Sequence, residues 1–146
     1  MSNDLLIPDR MARESAETTF ERNVVVVAGA GTGKTTLLVN RLVYLLMKEP
    51  APVLITQVIA LTFTNKAATE MKVRLRERLV VLARPEADPV RSGDGGVVSR
   101  EDLRDRYGLS ADAIAARAQV ALNDLEKAQI GTLHSFAGHL LRLHPL

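Results

Sequence analysis

The sequence predicts an α/β fold built on parallel strands. Two apolar runs rich in β-branched residues, 24–27 (VVVV) and 58–63 (VIALTF), each lead into a helix-patterned stretch. A weaker third run, 128–133 (AQIGTL), does the same. Strands that alternate with helices in this way lie side by side, with the helices as crossovers.

The elements follow in order. Ile7-Pro8-Asp9 suggests a turn into a short helix over about 9–20. The run 24–27 reads as a strand buried on both faces, and the turn 28–33 follows it. From 34 to 48, Leu37, Leu38, Leu42, Val43, Leu45 and Leu46 recur at the spacing of one helical face, and Pro50 and Pro52 end that helix. After the run 58–63, Thr64 or Asn65 can cap a helix reaching about Arg84. Its inner face is Ala68, Met71, Leu75, Leu79 and Leu82, with Lys72 and Arg76 off that face and one turn apart. The stretch 84–100 holds two Pro and three Gly and reads as a loop or linker. Ser99 with Asp102 three residues on forms an acidic capping box for a short helix to about Tyr107. Ser110 caps another, over 111–128. The last helix reads HSFAGHLLRLH and stops at Pro145.

With 146 residues the chain is expected to form one domain, 1–146, with 84–110 as an inserted linker region. Aromatic residues make up 3%, so the core must come from Leu, Val, Ile and Ala. Cysteine is absent, which excludes a disulfide scaffold and a thiolate metal site. The N-terminal residues lack the pattern of a secretory leader, and no apolar run is long enough to span a membrane. A cytoplasmic location is the expectation. Between Lys66 and Arg84 stand six basic residues against two acidic ones, a local surplus of +4 in a chain of net +2. Such a helix can meet a polyanion or can simply be a solvated face.

The segment AGAGTGKT comprises Ala28, Gly29, Ala30, Gly31, Thr32, Gly33, Lys34 and Thr35. It matches the phosphate-binding pattern G-x-x-x-x-G-K-[ST], with Ala28 at the first glycine position. Glycines let the backbone take positive φ and approach a ligand without a Cβ in the way. Successive N–H groups and the positive end of the following helix then attract an anion. Lys34 is placed to reach the β- and γ-phosphates of ATP, and Thr35 to offer its hydroxyl to Mg²⁺. These two are the candidate catalytic residues, and Thr35 is the candidate metal ligand.

Two further clusters sit at strand-to-helix junctions. ALTFTNKAATEM brings Thr62, Phe63, Thr64, Asn65 and Lys66 to the end of the second strand. Thr, Asn and Lys side chains at helix starts commonly contact phosphate backbones, and Phe63 has the chemistry to stack on a base. A capped helix beside a core phenylalanine explains the same residues. IGTLHSFAGHLLR repeats the arrangement with Thr132, His134 and Ser135. His134, His139 and His144 recur every five residues, which swings them around the helix and argues against zinc.

Together AGAGTGKTT, ALTFTNKAATEM and IGTLHSF resemble motifs I, Ia and Ib of the UvrD/Rep superfamily 1 DNA helicases, in that order. The likeness covers about 24–71 and 122–142. It implies an incomplete N-terminal part of a RecA-like P-loop NTPase domain that binds ATP-Mg²⁺ and tracks single-stranded DNA from 3′ to 5′ in repair or recombination. In that family Ala commonly stands at the position of Ala28. The resemblance assigns the glycine loop and Thr36 to the nucleotide. It assigns Phe63, Thr64, Asn65 and Lys66, with Thr132 and His134, to single-stranded DNA.

The chain departs from the pattern in three places. Many members carry an upstream Gln that reads adenine. No Gln precedes Ala28, and Arg10 or Arg13 stands in that stretch. The long interval between the second and third motifs is more similar to the RecB/AddA branch. No apolar run is followed by the Asp-Glu pair that holds Mg²⁺ and activates water. The expectation is therefore an N-terminal fragment, inactive alone, whose partner is the remainder of the helicase. The competing readings are a non-catalytic ATP- or DNA-binding remnant, and an unrelated P-loop enzyme that leaves the second and third motifs unexplained.

Overall fold

The structure, a computed structural model, describes residues 6–26, 33–84, 89–91 and 96–145. Helix α1 spans Leu6–Thr18, α2 Lys34–Met47, α3 Asn65–Ala83, α4 Arg100–Tyr107, α5 Ala111–Asp124 and α6 Leu133–Leu143. Strand β1 is Ile59–Thr62 and β2 is Gln129–Thr132. The two strands pair in parallel, Ile59 opposite Gln129 through Thr62 opposite Thr132. The class is α/β, rich in helix, with a small two-stranded parallel sheet.

Local signals in the sequence set most helix starts. Thr64 caps α3 by accepting from the Ala67 N–H at 3.1 Å. The Ser99–Asp102 box closes in both directions, at 3.1 Å from the Asp102 N–H to Ser99 Oγ and 2.8 Å from the Ser99 N–H to Asp102 Oδ2. Ser110 accepts from the Ala113 N–H at 3.1 Å. Helix α1 begins before Pro8 rather than after it. A proline in the first turn gives up an N–H that has no intrahelical partner there.

The core lies among the helices, with the sheet at its margin. Ala68, Met71, Leu75, Leu79 and Leu82 of α3 are all buried, as their spacing predicts. Met71, Leu75, Leu79 and Leu82 pack with Leu42, Val43, Leu46 and Met47 of α2, Leu103 of α4, and Ile114, Ala118 and Ala121 of α5. Leu38, expected on the inner face of α2, is instead exposed. It lines an open groove with Ala60 and Met71, and Asn40 of the same helix is buried.

Helices α1, α2 and α3 have no basic residue in their last turns. Each receives an arginine from another element. Arg41 donates to Ala16 O at 2.6 Å and Thr19 O at 2.8 Å at the end of α1. Arg117 donates to Met47 O at 2.8 Å at the end of α2. Buried Arg100 donates to Val81 O and Leu82 O, both at 3.3 Å, and to Arg84 O at the end of α3. A guanidinium suits this role because the final carbonyls lack helical partners and carry the negative end of the dipole.

One expected strand is corrected. Residues 24–26 are irregular and exposed, with Val25 87% accessible. A valine run becomes a strand only where a neighbour offers a ladder of N–H and C=O groups. β1 and β2 pair with each other, and neither pairs with 24–26. Val27 lies outside the described residues.

Candidate nucleotide and nucleic-acid site

The parallel register brings the second and third motifs to one edge. Thr62 lies opposite Thr132, so both segments leave the sheet on the same side and turn at once into α3 and α6. The Thr62 hydroxyl donates to Thr64 O at 2.9 Å and lies 3.4 Å from Gly131 O, pinning one turn to the other strand. The carboxyl ends of parallel strands are where α/β proteins place ligands.

Phe63 is 89% exposed at this edge, which removes it from the core. Thr64, Asn65, Lys66 and His134 are exposed beside it in the two turns. Thr132 is different. It is buried, and its hydroxyl is engaged with Ser135, accepting from the N–H at 3.1 Å and contacting Oγ at 2.9 Å. It sets the start of α6, whereas His134 and Ser135 face outward.

Of the glycine loop, Ala28, Gly29, Ala30, Gly31 and Thr32 lie outside the described residues. Gly33 takes the left-handed conformation, φ 82°, as the N-cap of α2. A side chain there would be strained, and its Cβ would come within 3.2 Å of Arg13 Nη1. Lys34 is exposed, while Thr35 and Thr36 are half-buried. The first turn of α2 has no acidic residue to oppose an anion. This end of the helix therefore fits a polyphosphate.

The basic surplus of α3 is largely used inside the fold. Lys72 Nζ lies 2.9 Å from Glu126 Oε2, and Arg76 pairs with the other oxygen of the same carboxylate. The hydrogen bond and charge of Lys72, with Arg76 behind them, hold Glu126 below the usual carboxylate range. Arg74 pairs with Glu70 at 2.6 Å and donates to Thr36 Oγ1 at 3.3 Å, joining α3 to the residue after the candidate metal ligand. Buried Arg78 donates to Val98 O at 2.6 Å. Four of the six basic side chains thus have internal partners, which favours the structural reading of this charge.

Sequence reasoning missed a polar knot around Asn40 of α2. Buried Asn40 donates from Nδ2 to Glu17 Oε1 at 2.9 Å and to Gly96 O at 2.5 Å, and its Oδ1 accepts from the Val98 N–H at 3.2 Å. Burial pushes Glu17 above its ordinary value, opposed by the Asn40 bond and the charge of Arg13. An amide on the apolar face of α2 was the available signal. Among the described residues no helix is long and apolar enough to cross a membrane.

A family model described as UvrD/REP helicase N-terminal domain matches residues 10–145. The chain belongs to this family. Its motifs I, Ia and Ib fall within the match. The chain is also similar to proteins named as ATP-dependent helicase/nuclease subunits of the A type. One, from Thermoanaerobacter sp. (strain X514), is 34% identical over 130 residues, covering 89% of this chain and 8% of that protein. Another, from Listeria monocytogenes serotype 4a (strain HCC23), is 35% identical over 120 residues, covering 82% and 8%. A third, from Desulforudis audaxviator (strain MP104C), is 32% identical over 130 residues, covering 89% and 8%. These names agree with the RecB/AddA-like spacing of the motifs. The chain spans about 8% of the length of the curated relatives it matches.

Proposed function

We propose that this chain is the N-terminal ATP- and DNA-binding part of an ATP-dependent DNA helicase that moves 3′ to 5′ along single-stranded DNA in repair or recombination. The observation that carries the reading is the Thr62–Thr132 register, which gathers two motifs with DNA-contact chemistry at one sheet edge. In this reading residues 1–146 are part of a RecA-like domain, and 84–110 is an insertion in it. ATP-Mg²⁺ supplies the phosphoanhydride whose hydrolysis drives movement. Lys34 neutralises charge on the β- and γ-phosphates, and Thr35 offers its hydroxyl to the metal. The loop residues Ala28 to Gly33 present backbone N–H groups to the phosphates, with Thr36 beside the nucleotide. Phe63 stacks on a base, while Thr64, Asn65, Lys66 and His134 hold the strand and Thr132 fixes the turn that presents His134.

The remainder of the helicase, on the same or a separate chain, supplies the Asp-Glu pair and the arginine finger that phosphoryl transfer needs. Two observations support a missing covering. Helix α6 has no buried residue, although Leu133, Leu140, Leu141 and Leu143 are apolar. The valines at 24–26 are exposed without a strand partner.

The test is ATP hydrolysis by the longer helicase that contains this chain. Single-stranded DNA should stimulate turnover, and Lys34→Ala should abolish it. Absence of stimulation in the unsubstituted protein overturns the helicase reading. The 146-residue chain alone should show no unwinding, and unwinding by it overturns the fragment reading.

A further inference from the structure

Helix α3 starts at the sheet edge and then passes the first turn of α2. Its N-cap, Thr64, follows exposed Phe63 just beyond the end of β1. Arg74 lies about 15 Å further along the helix axis, at 1.5 Å per residue. There its guanidinium forks. Nη2 pairs with Glu70 Oε1 at 2.6 Å, one turn back on the same helix, and Nη1 donates to Thr36 Oγ1 at 3.3 Å on α2. Thr36 stands in the first turn of α2, directly after Lys34 and Thr35. One side chain therefore joins the helix that leaves the sheet edge to the turn that carries the lysine and threonine of the first motif.

Other basic side chains of α3 reach elsewhere. Lys72 and Arg76 meet Glu126, and Arg78 donates to Val98 O. Further along α2, the two helices meet through Met71, Leu75 and Leu79 against Leu42, Val43 and Leu46. A close-packed apolar seam resists shifting, because any slip opens voids. A hydrogen bond between partly exposed groups is made or broken at little cost, because water replaces either partner. Arg74 is 45% exposed and Thr36 is half-buried. The Arg74–Thr36 contact is thus a part of the seam that can switch while the helices stay packed.

We propose that Arg74 is a positioning residue that couples the two sites. When single-stranded DNA engages the sheet edge, its fork to Glu70 and Thr36 carries a change in α3 to the first turn of α2. The two arrangements are the Arg74–Thr36 bond made and the bond broken, and each ligand biases that choice. Arg74 touches neither ligand. The proposal rests on the helicase reading given above, and adds to it the side chain through which DNA and nucleotide act on each other. Arginine suits the role because its planar fork holds two partners in fixed directions, which a lysine ammonium does not.

The test measures the affinity of the longer helicase for a non-hydrolysable ATP analogue with Mg²⁺, with and without saturating oligothymidylate. The ratio of the two affinities is the coupling factor. Arg74→Ala should shrink that factor toward one by roughly twofold to thirtyfold, while each ligand alone binds nearly as before. Exposed ion pairs add little stability, so the melting temperature should hardly move. Arg74→Lys keeps the charge opposite Glu70 but loses the fork, and should behave like Arg74→Ala. An unchanged factor in Arg74→Ala overturns the role of Arg74 and leaves the helicase reading standing, and so does a full factor in Arg74→Lys. Weaker binding of each ligand alone together with a lower melting temperature makes Arg74 a structural tie and overturns the proposal. Binding of both ligands with a factor of one in the unsubstituted helicase overturns the coupling alone. Binding of neither overturns the helicase reading with it.

Discussion

Replacing Phe63 by Ala separates a DNA contact from a core residue. A buried phenylalanine removes about 150–250 Å² from water. Phe63 is 89% exposed, so only about a tenth of that area, roughly 20 Å², is covered by the fold. At about 25 cal/mol per Å² the substitution costs about 0.5 kcal/mol of stability. A ring stacked on a base contributes about 1–3 kcal/mol, a loss of roughly fivefold to 150-fold in affinity. The two effects differ enough to be read apart. Urea denaturation of the 146-residue chain gives the first, and fluorescence anisotropy with a labelled oligothymidylate gives the second. The expected result is a nearly unchanged urea midpoint with clearly weaker binding. Unchanged affinity refutes the stacking role. A stability loss above about 2 kcal/mol returns Phe63 to the core and refutes the exposure argument.

Asn40→Ala removes three hydrogen bonds from a buried site, one of them to a carboxylate. The expected destabilisation is about 4 kcal/mol, a large share of a domain's usual margin. A urea-derived loss below about 1 kcal/mol would show that the knot is not a structural tie. The pairing of Glu126 predicts a pH effect. Its folded-state pKa lies below the ordinary 4.5, so its contribution to stability is present above pH 4.5 and fades as the pH falls through the folded value. The urea midpoints of the natural chain and of Glu126→Gln should therefore differ at pH 7 and converge in acid, with a smaller gap at high salt. A gap that stays constant down to pH 3 rules out the ion pair as its cause.

Much of the fold is written in local sequence. The five inner residues of α3 are buried because their spacing matches the helical period and sets them on one face. Ser99, Ser110 and Thr64 start helices because a side-chain oxygen within a few residues satisfies an orphan N–H. The three motifs and their order are likewise readable without coordinates, since each is contiguous. That contiguity is also why the family was recognisable.

The tertiary structure alone decided the rest, because it depends on partners far apart in the chain. Arg100, Arg41 and Arg117 look like surface charges in sequence, yet they end three helices whose own last turns lack a cation. The basic run of α3 reads in sequence as either a polyanion face or a solvated one, and the structure pairs Lys72 and Arg76 with one carboxylate, Glu126, from a distant segment. The valines at 24–26 have the composition of a strand, but a strand also requires a neighbouring ladder. The sequence by itself determined the family, the helices and the motif residues, all set by near neighbours. The register that aligns Thr62 with Thr132, and the approach of Arg13 to Gly33, arise from packing between distant segments.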